Sequence, residues 1–247
     1  MGDLVVGIIP DGHRRFSELN DLGLRDVYKV GLRKLFEVGT FLFRGGEVKE
    51  LVVYFLSTEN LKRGKRELKI LFDLLRSSFR FVEDGFCYDD LSDEEKVVFS
   101  ESDVGLWKDR IRVCFVGKRE LFDKDVNKFL SCIEDRTKGN SDFVVNIAIG
   151  YGGKQELVDC FNRVSSGLSS GVLSGVDESV IKDNLEFSKD IDLVVRSGFN
   201  RRLSNFFCWQ SSYADLFFLD KLWPDVTLGD FKKVLSDFSL IDRRKGT

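Results

Sequence analysis

The run Leu4-Val5-Val6-Gly7-Ile8-Ile9 is followed at once by Pro10-Asp11-Gly12-His13-Arg14-Arg15-Phe16. The first part is apolar throughout, without the polar alternation of a strand that has one wet face. It predicts a strand buried on both sides, the kind found in parallel sheets. Pro10, which has no N–H to give to a ladder, ends it. Runs of the same kind recur at Leu51 to Leu56, Ile111 to Val116, Phe143 to Ala148, Asp192 to Val195 and Leu216 to Leu219. Segments with helical spacing lie between them: Val27, Leu32, Leu35 and Phe36; Leu68, Leu71, Phe72, Leu75 and Phe79; Leu121, Val126, Phe129, Leu130 and Ile133. Alternation of strand and helix predicts an α/β fold, with a mostly parallel central sheet of about six strands flanked by helices. With Pro10 and Pro224 the only prolines, glycine supplies most of the punctuation. Neither linker-like composition nor an internal repeat divides the chain, so one domain over residues 1–247 is expected.

Two stretches read as excursions from that domain. Ser165 to Gly175, rich in Ser and Gly, predicts a surface loop, and the acidic stretch Glu83 to Asp103 predicts a solvated one. The latter holds Asp89-Asp90-Leu91-Ser92-Asp93, a magnesium-holding D-D-x-x-D spacing in all-helical enzymes. A chain that alternates strand with helix does not supply the facing acidic helix such a site needs, so a solvated loop is the reading here.

Composition sets the outer limits. Of 247 residues, 43% are hydrophobic and 32% charged, which is globular and unlike a disordered chain or a membrane bundle. A net charge of −3 supplies no global basic field, so no nucleic-acid partner is expected and any anion site must be local. The single histidine, His13, excludes multi-histidine zinc sites. Five cysteines without a C-x-x-C pair read as buried free thiols in a reducing compartment. No apolar run reaches the ~18 residues of a bilayer span. The first residues lack a signal-peptide layout, and Val6 breaks the myristoylation pattern, so a cytoplasmic protein is expected.

In a parallel sheet, ligands bind at the carboxyl ends of strands. After the first run, a carboxylate, a glycine and cations stand together in Asp11 to Arg15, a set able to hold Mg²⁺ and a phosphate. After the second comes Ser57-Thr58-Glu59-Asn60-Leu61-Lys62-Arg63, leading to Glu67; taken alone, this is an ordinary helix N-cap with a basic first turn. The fourth ends in the glycine-rich Asn146 to Lys154, which is not a Walker motif. The fifth leads through Arg196, Arg201 and Arg202 to Ser204, a diphosphate-grade anion site by charge.

In order, I-P-D-G-H-R-R-F at 9–16, S-T-E-N-L-K-R-G-K-R-E at 57–67, N-I-A-I-G-Y-G-G at 146–153, D-L-V-V-R-S-G-F-N-R-R-L-S-N-F at 192–206, W-Q-S-S-Y-A-D-L-F-F at 209–218 and L-W-P-D at 222–225 resemble the cis-prenyltransferase, or undecaprenyl diphosphate synthase-like, family over nearly the whole chain. The resemblance implies a Mg²⁺-dependent prenyl transferase joining an allylic diphosphate to isopentenyl diphosphate, with an apolar tunnel for the growing chain. Asp11 would be catalytic and hold Mg²⁺, with Asp215 as a further metal ligand where the family has Glu; Asn60 would also be catalytic. Gly12, His13, Arg14, Arg15, Phe16, Tyr28, Ser57 and Arg63 would bind substrate. Arg196, Arg202 and Ser204 would take the isopentenyl diphosphate. Arg244 and Gly246 would reach across a homodimer to the partner's diphosphate site, and the lipid product would bring transient membrane association.

Four positions depart from the family pattern: His13 replaces Asn, Phe16 replaces Trp, Tyr28 replaces His and Leu61 replaces an aromatic. The Asp-Gly-x-Arg-Arg form with Tyr28 also resembles the branch that makes irregular, lavandulyl-type couplings, and that coupling is the alternative reading. A non-catalytic partner subunit, the next alternative, usually lacks the aspartate and arginine sets that Asp11, Arg196 and Arg202 retain here. Phe55 stands where the family keeps a small residue for long products, so the resemblance implies a short product; a plain core aromatic is the other reading of that ring.

Overall fold

The computed structural model describes residues 3–83 and 101–242. Its order is β1 (Leu4–Ile9), α1 (His13–Asn20), α2 (Leu24–Arg44), β2 (Val48–Ser57), α3 (Lys65–Ser78), α4 (Arg80–Glu83), α5 (Glu101–Asp109), β3 (Ile111–Val116), α6 (Lys124–Thr137), β4 (Phe143–Tyr151), α7 (Gly153–Ser169), α8 (Glu178–Asp183), β5 (Leu193–Arg196), β6 (Asp215–Phe218) and α9 (Leu228–Ser239). The strands form one sheet in the order β3-β4-β2-β1-β5-β6, and every pairing is parallel. Each expected strand is present, and β2 and β4 run longer than their apolar runs.

Side chains of β1 alternate between two cores, as the period of two requires. Leu4, Val6 and Ile8 join the larger one, with Phe36 of α2 and Leu75 of α3. Val5 and Ile9 join the smaller one, with Val194, Phe206 and Phe207. Gly7 is small of necessity: a Cβ there would stand 2.8 Å from the Phe206 ring.

Three expectations are corrected. Residues 165–169 continue α7, because the Ser-rich stretch is entered from an amphipathic helix that buries Cys160 and Val164; the chain breaks only at Gly171, with φ +75°. Asp103 is not a solvated charge, since it pairs with Arg44 at 2.9 Å. Of the four described cysteines, all free, only Cys160 is buried; Cys114, Cys132 and Cys208 are half-buried. The Asp89–Asp93 motif, Arg244 and Gly246 lie outside the described residues. Among the described residues, no helix is long and apolar enough to cross a membrane.

The strand order decides where a site can form. From β1 the chain lays β2 beside it, β3 at the far edge and β4 between them, and then crosses back to lay β5 along the other side of β1. That reversal opens a crevice at the carboxyl ends of β1 and β5, where Ile9 pairs with Arg196.

Candidate active-site cavity

A cavity of about 830 Å³ occupies this crevice, a size suited to a small organic ligand. Its mouth is lined by six cationic side chains (Arg14, Arg15, Arg63, Lys154, Arg196 and Arg202) against the carboxylates of Asp11 and Glu59, a balance that attracts anions. Its floor is apolar: Leu32 and Leu35 of α2, Phe55 of β2, and Leu71 and Leu74 of α3. Phobic floor and cationic mouth together suit an amphiphile with an anionic head.

Asp11 sits at the centre of the mouth. Its Oδ2 accepts hydrogen bonds from Arg196 Nη2 at 2.8 Å and Asn200 Nδ2 at 2.9 Å, while Oδ1 has only Arg15 Nη2 at 3.3 Å. Burial alone would raise its pKa; the bonds from Asn200 and Arg196 and the nearby cations outweigh that and hold the carboxyl below its usual range. Its backbone is pinned too, the Asp11 N–H donating to Ser197 Oγ and that hydroxyl donating to the Asp11 carbonyl. Gly198, at φ +88°, is required here, because a Cβ would meet Arg15 at 2.8 Å and Asp11 at 2.9 Å.

Gly12, at φ +112°, turns the chain into α1. The first amides of that helix have no intrahelical acceptor and no side-chain cap, which leaves N–H groups for an anion. His13 opens the helix with its imidazole against Gly31, where a Cβ would come within 2.1 Å of Nε2. Gly31 is in turn held by Trp223, whose indole N–H donates to its carbonyl at 2.8 Å. Burial, aided by the Arg63 cation and opposed by Asp11, pushes His13 down to about 4, so the ring is neutral at pH 7. Its ring centroid lies 5.3 Å from that of Tyr28.

On the β2 side, Ser57 Oγ accepts from the Asn60 N–H at 3.2 Å; the helix N-cap expected here is not formed, since neither Thr58 ahead of the 59–62 turn nor Gly64 ahead of α3 makes a side-chain cap, and Ser57 and Asn60 line the cavity instead. The Tyr28 hydroxyl donates to Glu67 Oε1 at 2.6 Å and accepts from Arg63 Nη1 at 3.3 Å. Burial and the Glu67 carboxylate push this phenol up to about 12. On the β5 side, Arg196 is buried, and its Nη1 donates to Ser204 Oγ at 2.7 Å and to the Arg202 carbonyl. Four of the five non-glycine residues with positive φ among the described residues fall at Phe199, Ser204, Asn205 and Phe207, so this loop concentrates the backbone strain that often accompanies binding sites.

Phe55 falls at a bulge. Tyr54 pairs with Ala148 and Leu56 with the next residue, Ile149, which leaves Phe55 as the extra residue of β2. Its ring is half-buried and, with Leu32 and Leu35, lines both the main cavity and a second one of only about 10 Å³ that is enclosed by apolar side chains including Phe36, Phe79 and Trp107.

The structure therefore gathers Asp11, Gly12, His13, Arg14, Arg15, Tyr28, Phe55, Ser57, Asn60, Arg63, Arg196, Arg202 and Ser204 around one cavity. Phe16 and Asp215 are not in its lining. Asp215 begins β6 level with Leu193, three residues or ~10 Å of strand below the end that carries Arg196, so it does not stand beside Asp11. Sequence reasoning passed over Asn200, Ser197, Lys154 and Trp223. Asn200 had no local signal, because its partner Asp11 is 189 positions away.

The family model described as "Putative undecaprenyl diphosphate synthase" matches residues 9–246. The tritrans,polycis-undecaprenyl-diphosphate synthase (geranylgeranyl-diphosphate specific) of Pyrobaculum aerophilum is 33% identical over 98% of this chain and 94% of its own. The isoprenyl transferase of Thermus thermophilus is 32% identical over 98% of this chain and 88% of its own. Among solved structures, lavandulyl diphosphate synthase of Lavandula x intermedia, crystallised with dimethylallyl diphosphate, shares the fold with a TM-score of 0.82 at 23% identity, over 98% of each chain. With matches that run from the first strand to the last helix, the chain belongs to the cis-prenyltransferase family of undecaprenyl diphosphate synthase and its relatives.

Proposed function

We propose that this protein joins an allylic diphosphate to isopentenyl diphosphate and releases a short cis-prenyl diphosphate. The observation that carries this reading is one cavity that combines cationic side chains with an apolar floor bounded by Leu32, Leu35 and Phe55. The mouth offers places for two diphosphates. One lies at Asp11, the free amides of α1 and Arg15; the other lies at Arg202 and Ser204, whose Oγ accepts from Arg202 Nε at 3.3 Å. The allylic tail extends over Leu32, Leu35 and Leu71 toward Phe55. In the reaction the allylic C–O bond breaks with diphosphate leaving, the terminal alkene carbon of isopentenyl diphosphate bonds to the allylic carbon, and a proton departs to set the cis double bond. The apolar floor and the buried Arg196 keep water from the allylic cation.

Asp11 lines the cavity and its Oδ1 is the less engaged oxygen, which fits Mg²⁺, commonly held by one or two carboxylates together with substrate phosphates. Bound there, the metal would supply charge neutralisation to the departing diphosphate. Among the described residues no group of three or more metal-ligating side chains occurs, in keeping with a site that substrate completes. Arg196 serves as the fixed counter-ion of Asp11, because two of its nitrogens are already committed.

We place this activity in a cytoplasmic homodimer, with the lipid product giving transient membrane contact. Val158 and Phe161, three apart on α7 and both at least half exposed, offer an apolar face for the second copy. One observation favours the irregular coupling as a second reading: His13 and Tyr28, both departures from the family pattern, face each other in the cavity wall. Incubation with Mg²⁺, isopentenyl diphosphate and a series of allylic diphosphates, with products identified by mass and double-bond geometry, tests the proposal. Product from dimethylallyl diphosphate alone would establish the irregular reaction, and no product from any combination would reject both.

A further inference from the structure

The Glu67 carboxylate, in the first turn of α3, joins three elements behind the cavity wall. Tyr28 of α2 donates to its Oε1 at 2.6 Å. Arg14 of α1 engages it side-on, Nε to Oε1 at 3.2 Å and Nη2 to Oε2. Arg63, just ahead of α3, brings Nη1 to 3.4 Å from Oε1. Glu67 itself is not in the cavity lining, whereas Arg14, Arg63 and Tyr28 are. Its side chain is 11% exposed, against 51% for Arg14.

A guanidinium held side-on has its plane fixed, and its remaining N–H groups point away from the carboxylate. That hold applies to Arg14; Arg63 is tied through Nη1 alone, shared between Glu67 and the Tyr28 hydroxyl, and both arginines line the cavity. Without Glu67 the two cations would repel each other, and each would recover the rotamer freedom of a long side chain. The Tyr28 hydroxyl locks the arrangement, because its one proton goes to Glu67 while its oxygen accepts from Arg63.

We propose that Glu67 is a positioning residue that presets Arg14 and Arg63 as paired donors to a substrate diphosphate. This rests on the prenyl transfer reading, but it makes an opposite prediction to simple charge. A carboxylate beside an anion site repels the ligand, so Coulomb attraction alone predicts that Glu67→Gln tightens diphosphate binding. Preorganisation predicts that it weakens binding, because two side chains must then be ordered by the ligand itself.

The test is calorimetric titration of the full-length protein with inorganic diphosphate, for wild type, Glu67→Gln and Tyr28→Phe, followed by steady-state kinetics with both substrates. The expected result is weaker diphosphate binding, by about tenfold for Glu67→Gln and less for Tyr28→Phe, the scale of ordering two long side chains. In kinetics, KM for one diphosphate substrate should rise with little change in kcat. Binding by Glu67→Gln that is unchanged or tighter would overturn the proposal, as would a fall in kcat with KM unchanged. Should Glu67→Gln not fold, Tyr28→Phe decides by the same criteria. A wild-type protein that binds no diphosphate would instead reject the prenyl transfer reading, which separates the two failures.

Discussion

Replacement of Phe55 by alanine tests whether this ring sets product length. With Leu32 and Leu35, the ring lines both a cavity of about 830 Å³ and one of about 10 Å³, the latter at the limit of what holds a single water. A tail that reaches Phe55 therefore has nowhere further to go. Removing a phenyl ring opens space comparable to the ~150 Å³ engineered cavity that takes up a six-carbon ring, which is room for about one five-carbon isoprene unit. The gain should stop there, because Phe36 and Trp107 close the next layer with ring centroids 4.5 Å apart, and the Trp107 indole is fixed to Thr40 Oγ1 at 3.0 Å. Burying those five carbons is favourable by ~0.8 kcal/mol per methylene, enough to favour one further addition over release. The substitution should cost ~3 kcal/mol of stability, the lower end for a phenylalanine deletion, because the ring is only half-buried. Labelled isopentenyl diphosphate, chromatography of dephosphorylated products, and a denaturant titration measure both effects. A variant that loses the stability but keeps the wild-type product distribution would refute the reasoning, and so would a wild type that already makes long chains.

Asp11→Ala should lower kcat by at least ~100-fold with Mg²⁺ present, the scale of losing one stabiliser of developing charge, and, because it strands the buried Arg196 cation, should also lower the midpoint of a denaturant titration. Arg202→Ala should raise the KM for isopentenyl diphosphate by about tenfold, the value of a hydrogen bond to a charged group, and should raise the allylic KM less; equal changes would mean the two diphosphate places are assigned wrongly. Thr227→Ala should cost ~1 kcal/mol in a denaturant titration, because Thr227 and Asp230 form a reciprocal cap at the start of α9. Burial would raise the Asp230 pKa, but bonds from Lys221 and Thr227 lower it overall. Its contribution is thus complete above the ordinary carboxylate range and fades as pH falls through its depressed value, so Asp230→Asn should flatten the acid limb of stability against pH.

The strands were legible because strands covered on both faces carry uninterrupted apolar runs, and β1 is buried at every position. The beginning of β2 was not, because Glu50 occupies a buried place that no hydrophobic pattern marks; it is compensated by Asn146 at 2.7 Å and by Lys189. Strand order was also out of reach. Nothing local in residues 193–196 says that they lie beside β1 rather than β4, since that neighbour is chosen by which face remains open after the other strands have packed. The site inherits the same division. Residues at or just past a strand end, such as Asp11, Ser57 and Arg196, could be found from the apolar runs. Trp223 and Asn200 could not, because they act through contacts made only after the crossover.

Arg196 shows why the two kinds of information had to be combined. As sequence it is one of three arginines near a strand end, and charge alone assigns it to an incoming diphosphate. In the fold it is buried, facing Asp11 across the crevice, and an unpaired cation in that position would carry a large desolvation cost. Asp11 meets that cost with one oxygen and keeps the other toward the cavity. Asn200 adds a neutral donor, so the carboxylate is held ionised without its second oxygen being drawn away from the cavity. The buried pair thus gives the mouth a fixed charge of each sign. The cations left to meet substrate are the less buried ones: Arg202 at one place, and at the other Arg15 together with Arg14 and Arg63, the two that Glu67 holds in place.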